Sequence, residues 1–320
     1  MENLGVSGTD TSAAASTDPP AFGITIVNRP ARATRRTLKT IVFNARTGAR
    51  FAGIVACLSR PPLADADAIM LCETDWRLRR SFNREIALDL AEALGMSVAF
   101  GPEFEIRRSP GDPRSFLGNT ILSSAPLTDA RMIALPTTRM RGRYMRLIGQ
   151  PHALIAAATF AERQITIAVA HLHSRWNPAG RARQMATLLK HLGPSGMEGA
   201  TILGGDFNTT TTGLDSSLAK ALVPVQMALR PRRFRYPERY EPLFEDLARA
   251  GFEVRDANVP GKATFTFARA IPPVLRPKLD WIALRGLEPV AGSARVVAAR
   301  ESFFNWRVSD HDFVMCEVRL

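Results

Sequence analysis

Cysteine is scarce in this 320-residue sequence: Cys57, Cys72 and Cys316 are an odd number, far apart, each within or beside an apolar run. That pattern excludes a disulfide framework and a thiolate zinc site, and it fits a reducing compartment. Long apolar stretches are missing too. The longest uncharged one, Ala153 to Ala161, is about half of the roughly 20 residues that a membrane-spanning helix requires. Met1-Glu2-Asn3 lacks the basic, then apolar, layout of a signal peptide, so the expectation is a cytoplasmic protein. No internal repeat occurs, and no low-complexity linker divides residues 38 to 320. Acid is also in deficit: 30 Asp and Glu stand against 42 Lys and Arg, a net charge of +12. A field of that sign draws polyanions, whether nucleic acid, an acidic lipid surface or a small phosphorylated substrate.

What is present divides the chain in two. Residues 1 to 37 are rich in Ser, Thr, Ala and Pro without sustained periodicity, and read as a disordered N-terminal tail. Residues 38 to 320 read as one globular domain, expected to act as a monomer. Its strands announce themselves as short apolar or alternating runs, several of them ending in a polar residue: Leu38 to Asn44, Ala68 to Glu73, Met96 to Phe100, Gly118 to Ser124, Ile165 to His171, Thr201 to Leu203, Thr264 to Phe267, Lys278 to Leu284 and Phe313 to Val318. Helical spacing marks Arg79 to Gly95 and Ala179 to Leu192, the small and apolar content of Phe51 to Leu58 suits a packed helix start, and Phe244 to Ala250 and a short segment after Gly213 read as further helices. Arg230 to Tyr236, four arginines interleaved with Pro231, Phe234 and Tyr236, reads as a loop.

The stretch Thr201 to Asn208 carries the most chemistry. An apolar strand stops at Gly204-Gly205, and Asp206 and Asn208 follow at a spacing that turns both side chains the same way. One is a proton acceptor or metal neighbour and the other a neutral hydrogen-bond donor. An isolated Gly-Asp-x-Asn serves equally as an Asx turn closing a strand. The rest of the chain decides between them, because Asn44, Glu73, His171, Asp280 and the pair Asp310-His311 also fall within, at the end of, or just before a predicted strand. In layered α/β proteins such strand ends open on one edge, where sites gather. Two carboxylates and an amide oxygen suit Mg²⁺ or Mn²⁺, hard ions that prefer oxygen, and no Cys/His spacing suits zinc.

The order Asn44, Cys72-Glu73, Gly118-Asn119-Thr120-Ile121-Leu122-Ser123, His171-Leu172, Gly205-Asp206-Phe207-Asn208, Leu279-Asp280-Trp281 and Ser309-Asp310-His311 resembles the endonuclease/exonuclease/phosphatase superfamily of metal-dependent phosphoester hydrolases. The resemblance spans residues 38 to 320 and implies an α/β fold of two packed mixed sheets flanked by helices, a four-layer sandwich. By the same resemblance Asn44 and Glu73 are metal ligands, and Asp310 is a further ligand or a close neighbour of the ion. Asp206 and Asn208 activate water and hold the phosphate. Asp280 and His311 form an acid-histidine pair, and His171 contacts the phosphate or protonates the leaving oxygen. Cys72 departs from the family, which often has Gln before the metal-binding Glu. In the doubled His171-Leu172-His173, strand alternation turns both rings to the same face; His171 is favoured because it directly follows the apolar strand, His173 otherwise reads as a surface histidine, and which imidazole works stays open. Glu103, just after another strand, either orients His171 or is an ordinary solvated acid.

The implied reaction is in-line attack of water on a phosphoester with Mg²⁺, or Mn²⁺, neutralising the charge. Substrate class stays open among nucleic acids, phospholipid or sphingolipid headgroups and inositol phosphates. Arg139, Arg141, Arg143 and Arg146, and Arg232, Arg233 and Arg235 with Phe234 and Tyr236, suit nucleic acid, because guanidiniums track phosphates and rings stack on bases. Ile271-Pro272-Pro273-Val274-Leu275 is the candidate membrane loop, and in that reading the arginines lie on an anionic membrane. A basic nucleic-acid-binding protein with an inactive site is a third class, disfavoured because every matched position keeps a competent side chain.

Overall fold

Strands buried on both faces need continuous apolar runs rather than alternation, and this chain supplies them at each sheet centre. In the computed structural model, which describes residues 23–33, 36–107, 114–137, 146–193, 199–213, 217–266, 272, 276–301 and 306–320, these runs become two mixed sheets. In chain order the strands are β1 (Thr25–Val27), β2 (Thr37–Thr47), β3 (Ala68–Trp76), β4 (Ser97–Arg107), β5 (Phe116–Ser123), β6 (Leu127–Ala134), β7 (Arg146–Gly149), β8 (His152–Phe160), β9 (Arg163–Val169), β10 (Ala200–Asp206), β11 (Asp280–Arg285), β12 (Glu288–Pro289), β13 (Arg295–Val297) and β14 (Phe313–Arg319). The helices are α1 (Phe51–Leu58), α2 (Ile86–Leu94), α3 (Pro178–Leu192), α4 (Ser217–Leu229), α5 (Pro231–Arg235) and α6 (Leu243–Arg249).

One sheet runs β1-β4-β5-β3-β2-β14-β12, with β7 on β4 and β13 on β14, and the other runs β11-β10-β9-β8-β6. Among the described residues only β2 with β3 and β9 with β10 pair in parallel. Three apolar clusters separate four layers. Ile41 and Phe43 of β2 face α1 and α2 through Ile54, Leu58, Ile86 and Leu90. Val42, one residue out of phase, faces the second sheet with Met70, Ile121, Leu154, Ile167 and Ile202. On the far side Leu203 and Trp281 meet Met185 and Leu188 of α3 and Leu243 and Leu247 of α6. The architecture is therefore the four-layer α/β sandwich that the sequence implies. Among the described residues no helix is long and apolar enough to cross a membrane.

Two adjacent glycines let the sheets close under the site. A Cβ on Gly204 would collide with Val42 across the sheet interface, and Gly205, at φ +141, would collide with the Ala170 carbonyl oxygen. Both are places where only a bare backbone fits.

Several expectations are corrected. The expected N-terminal tail, residues 1 to 37, is not structureless throughout: Thr25–Val27 pairs antiparallel with Val98 to Phe100, because Thr-Ile-Val is a competent edge strand, whereas residues 1 to 22 lie outside the described residues. The helix expected over Arg79 to Gly95 begins only at Ile86. The first part is a separate 3₁₀ helix, Arg79–Ser81, ended by left-handed backbone at Phe82 and Asn83 (φ 59 and 56), with Arg80 gripping Asp75 through two hydrogen bonds. Arg230 to Tyr236 contains a short helix rather than a loop alone, with Pro231 at its first position and Phe234 buried. The strand expected at Thr264 to Phe267 reduces to a single bridge from Phe265 to His311, and Phe267 lies outside the described residues. Arg139, Arg141 and Arg143, and Ile271 with Pro273 to Leu275, lie outside them as well.

Candidate active site

The sheet ends bring the polar residues together. Asp206 closes β10 directly across from Asp280, which opens β11, so two carboxylates start side by side. Asn44 of β2 is paired with Cys72 of β3, next to Glu73. At both places the β2/β3 and β3/β5 ladders slip register, and Glu73 itself takes φ 55, an unfavourable conformation for a residue with a side chain. Such bulges re-aim a side chain, and strain of this kind persists only where the surroundings over-determine it.

The Asn44 amide nitrogen donates at 3.0 Å to Glu73 Oε1 and at 3.0 Å to Asp206 Oδ2, while its own oxygen accepts the Arg46 backbone N–H at 2.9 Å. His171 Nε2 lies 3.8 Å from Glu73 Oε1 and 3.7 Å from Asp206 Oδ2. His311 Nε2 lies 3.7 Å from that same Asp206 oxygen, and its Nδ1 is 2.8 Å from Asp280 Oδ2. Asp206 is thus the hub. Its other oxygen accepts the Asn208 backbone N–H at 3.0 Å, and Asn208, with φ 50, donates from its side chain to the Leu172 carbonyl at 2.8 Å.

Burial and charge set the protonation states. Burial pushes the Asp206 carboxyl up, His311 holds it down, and the Asp280 carboxylate raises it again, for a net rise. Burial pulls His311 down, but Asp280 and Asp206 outweigh it and raise the imidazole to about 10, so it is cationic at neutral pH. His171 is likewise pulled down by burial and carried above its ordinary value by Asp206, Glu73 and Glu103. Glu73 ends below the ordinary range: burial raises it, while His171 and the Asn44 hydrogen bond more than compensate.

Cys72, where the family often has Gln, sits beneath the hub. Its sulfur accepts the Asp206 backbone N–H at 3.5 Å and donates to the Ala170 carbonyl at 3.6 Å, and burial keeps it a thiol. Ser309 ties the last motif to the first by donating to the Asn44 carbonyl at 2.8 Å and accepting the His311 N–H at 3.1 Å. Asp310 lies at the rim, with Oδ2 3.4 Å from Nε of Arg46, a neighbour that sequence reasoning missed. Only its left-handed backbone, φ 44, sets Arg46 apart, and no sequence pattern signals that.

Not every expected residue joins the cluster. His173 is buried rather than on the surface, its ring stacked on Trp176 and its Nδ1 accepting the Arg175 N–H at 3.1 Å, and no contact takes it to Glu73 or Asp206 among the described residues. Strand β9 ends at Val169, so the alternation that would turn His171 and His173 the same way does not apply. Arg232 is exposed, Arg233 lies over the Tyr240 ring, and Arg235 lies over Tyr236 with Nε donating to the Gly261 carbonyl. None of the three reaches the Asp206 cluster among the described contacts. Glu103 is not a solvated acid either. Burial within β4 raises its carboxyl to about 7, against the pull of His171.

The loop carrying Asn208 is pinned from behind. Arg181 of α3 and Glu241 form a fully buried ion pair, the Glu241 carboxylate accepts the Thr211 N–H at 2.7 Å, and Arg181 reaches the Trp176 and Thr212 carbonyls. The spacing from Arg181 to Glu241 carries no sequence signal of this pair.

Among the described residues, two donor sets could hold a cation. Asp206, Asp280 and His311 offer ligand atoms within 4.8 Å of one another, but Asp280 and His311 already engage each other. Glu73 Oε1 and Asp206 Oδ2 are two anionic oxygens converging on one amide nitrogen beside the partly exposed Glu73 side chain, a hard-oxygen set that fits a divalent ion better.

A carboxylate-imidazole cluster at one edge of a two-sheet sandwich is chemically suited to hydrolysis of phosphoesters. The chain belongs to the Endonuclease/Exonuclease/phosphatase family, whose family model matches residues 41–311. Among solved structures it is similar to an endonuclease/exonuclease/phosphatase from Beutenbergia cavernae (17% identity, 89% of this chain and 72% of that one, TM-score 0.59). It is also similar to D. rerio TDP2 complexed with a single-strand DNA product (17%, 89% and 100%, TM-score 0.55) and to sphingomyelinase C from Streptomyces griseocarneus (14%, 88% and 99%, TM-score 0.51). These likenesses speak to the fold. No sequence of curated function matches at a significant level.

Proposed function

We propose that this protein is a Mg²⁺-dependent phosphodiester hydrolase, able to use Mn²⁺, that directs water in line at phosphorus in a nucleic acid. The observation that carries the reading is one carboxylate oxygen, Asp206 Oδ2, 3.7 Å from each of two imidazoles and 3.0 Å from an amide that also holds Glu73. Glu73 and Asn44 would hold the ion, Asn44 after turning its amide oxygen inward, with Asp310 beside it. When bound, the ion supplies positive charge to a phosphate oxygen and to the leaving oxygen.

Asp206 is the base. Its raised proton affinity suits it to accept a proton from water, and the neighbouring cations keep it ionised until it does. His311 cannot take that proton while it is itself an imidazolium. It donates through Nε2 to a phosphate oxygen, oriented by Asp280 on Nδ1. His171 donates to the phosphate or the leaving oxygen, and the Asn208 amide, fixed by Leu172, offers its remaining N–H to the phosphate. The nucleic-acid assignment draws on the net charge of +12 and on the likeness to a structure that holds a DNA product. Hydrolysis of bis-p-nitrophenyl phosphate that vanishes on chelation and returns with Mg²⁺ or Mn²⁺ is the expected result. Full activity in metal-stripped protein overturns the reading.

One observation favours a second reading, a lipid-headgroup phosphodiesterase. Leu222, Val225 and Leu229 form an exposed apolar stripe on α4, continued by Arg230, Arg232 and Arg233, the composition of a helix lying on an anionic membrane. Faster turnover of sphingomyelin in anionic vesicles than of any nucleic acid would select it.

A further inference from the structure

Helix α4 turns an apolar face to solvent. Ala221, Leu222, Val225, Ala228 and Leu229 recur at helical spacing on its exposed side, with Leu222 42%, Val225 51% and Leu229 76% exposed, while Met227 on the other side is buried. We propose that this face, with the arginines that follow it, binds the surface of an anionic lipid bilayer and makes the protein a peripheral membrane protein. The attachment is separate from the choice of substrate and holds whichever phosphoester is cleaved.

Composition is the first argument. Leucine and valine gathered in one exposed stripe leave apolar area in water that a binding surface would cover. Directly after the stripe the chain turns basic. Between Ser217 and Tyr240 six Lys and Arg stand against a single acid, Glu238, and the next acid, Glu241, is turned inward onto Arg181. Arg230, Arg232 and Arg239 are exposed, and Arg233 and Arg235 lie over the rings of Tyr240 and Tyr236, two of the chain's three tyrosines. Aliphatic side chains that enter the acyl boundary, guanidiniums that reach lipid phosphates and tyrosines at headgroup level are the parts of an interfacial helix. The same parts disfavour other occupants. A nucleic acid satisfies the arginines but has nothing to cover Leu222 and Leu229, and a second copy of this chain brings two arginine clusters of like charge together.

Position is the second argument. The chain reaches α4 from the segment after Asn208 and returns to the body at the buried Phe234, whose carbonyl accepts the Lys278 N–H at 3.0 Å, two residues before Asp280. Glu241 then accepts the Thr211 N–H at 2.7 Å. Both roots lie at the sheet end where Asp206 meets Asp280, so the face is tied to the body rather than carried on a loose tail. At 13 residues α4 is about 20 Å long, too short to span the hydrocarbon core, and it lies on the surface instead.

The test is sedimentation of the whole chain with vesicles of phosphatidylcholine alone and of phosphatidylcholine mixed with phosphatidylserine. Wild type should pellet with the anionic vesicles, stay in solution with the neutral ones, and be released by raised salt. Leu222→Ser combined with Leu229→Ser changes two exposed side chains and should weaken binding at least about tenfold at unchanged net charge. Arg230→Gln combined with Arg239→Gln should weaken it about twentyfold, on the scale of about fivefold for each basic residue near an anionic surface. The three native cysteines are buried, so Leu229→Cys takes an environment-sensitive dye selectively. Its emission should shift to the blue on anionic vesicles, and that of Ala291→Cys, exposed in the turn after β12, should not. Full binding by the leucine variant, or a dye at position 229 that stays in water, overturns the proposal and leaves only adsorption of a basic protein by charge. A wild type that ignores anionic vesicles overturns it too, as do arginine variants that lose single-stranded DNA while keeping the vesicles. None of these measurements needs turnover, so a protein inactive on every phosphoester defeats the hydrolase reading and leaves the attachment standing on its own test.

Discussion

His311 Nδ1 lies 2.8 Å from Asp280 Oδ2, and this contact decides which nitrogen of the ring faces the Asp206 cluster. With Nδ1 committed to Asp280, Nε2 points to Asp206, 3.7 Å away. Asp280→Asn keeps the size of the partner but presents a neutral amide to the ring. Turnover of a phosphodiester should fall by about a hundredfold or more, the usual scale for losing an acid-base or electrostatic group. The far-ultraviolet spectrum should not change. A rate within a few-fold of wild type would show that the pair is structural only.

Asp206 and His311 serve the same water and phosphate in this scheme. Asp206→Asn and His311→Ala should each cost about a hundredfold in kcat, and the double variant should lose much less than the product of the two. Strict additivity, measured in a double-mutant cycle, would mean that the two side chains act on separate steps.

Much of the cluster is legible in the sequence, and the reasons differ by residue. Asn44, Glu73, His171, Asp206 and Asp280 stand at the ends of apolar runs, and strand ends on one sheet edge must converge, so their meeting follows from topology. His173 stays out of the cluster because two-residue alternation holds only as far as Val169, where the strand stops. Glu103 was unreadable for a similar reason: a carboxylate after an apolar run looks solvated until the layer covering it is known. The arginines from Arg230 to Arg235 gave their charge correctly and their conformation incorrectly, since Pro231 both interrupts a preceding helix and starts a new one. Arg46, Cys72 as a support for Asp206, and the Arg181 to Glu241 pair depend on contacts across long sequence separations, which no local pattern encodes.

The Arg181 to Glu241 pair makes a separate prediction about the loop that carries Asn208. Both side chains are fully buried, so Glu241→Gln leaves a guanidinium without its counter-charge, and stability in urea should fall by about 3–5 kcal/mol. Replacing both partners with apolar residues, Arg181→Met with Glu241→Leu, should recover much of that loss. Activity should not recover with it, because the Thr211 N–H loses its acceptor and the Asn208 loop its anchor. A double variant as active as wild type would assign the pair to folding alone.

Glu103 links stability to pH. Its Oε1 accepts the His152 N–H at 3.2 Å, while among the described residues Oε2 is buried without a hydrogen-bond partner. A neutral carboxyl is the form that such burial favours, and burial raises the group from 4.5 to about 7. The sign follows from which state binds the proton. Between pH 4.5 and 7 the unfolded chain has released it and the folded chain retains it, so the contribution of Glu103 is fully present below pH 4.5 and is lost as pH rises to about 7. Glu103→Gln keeps a neutral hydrogen donor at every pH and removes the linkage. Measured by denaturant unfolding, the stability of wild type relative to this variant should drop by up to about 3 kcal/mol from pH 4.5 to 7 and stay level above that. A difference that stays flat across the window would show that Glu103 is ionised in the folded protein, paired with His171, and that its burial is already compensated.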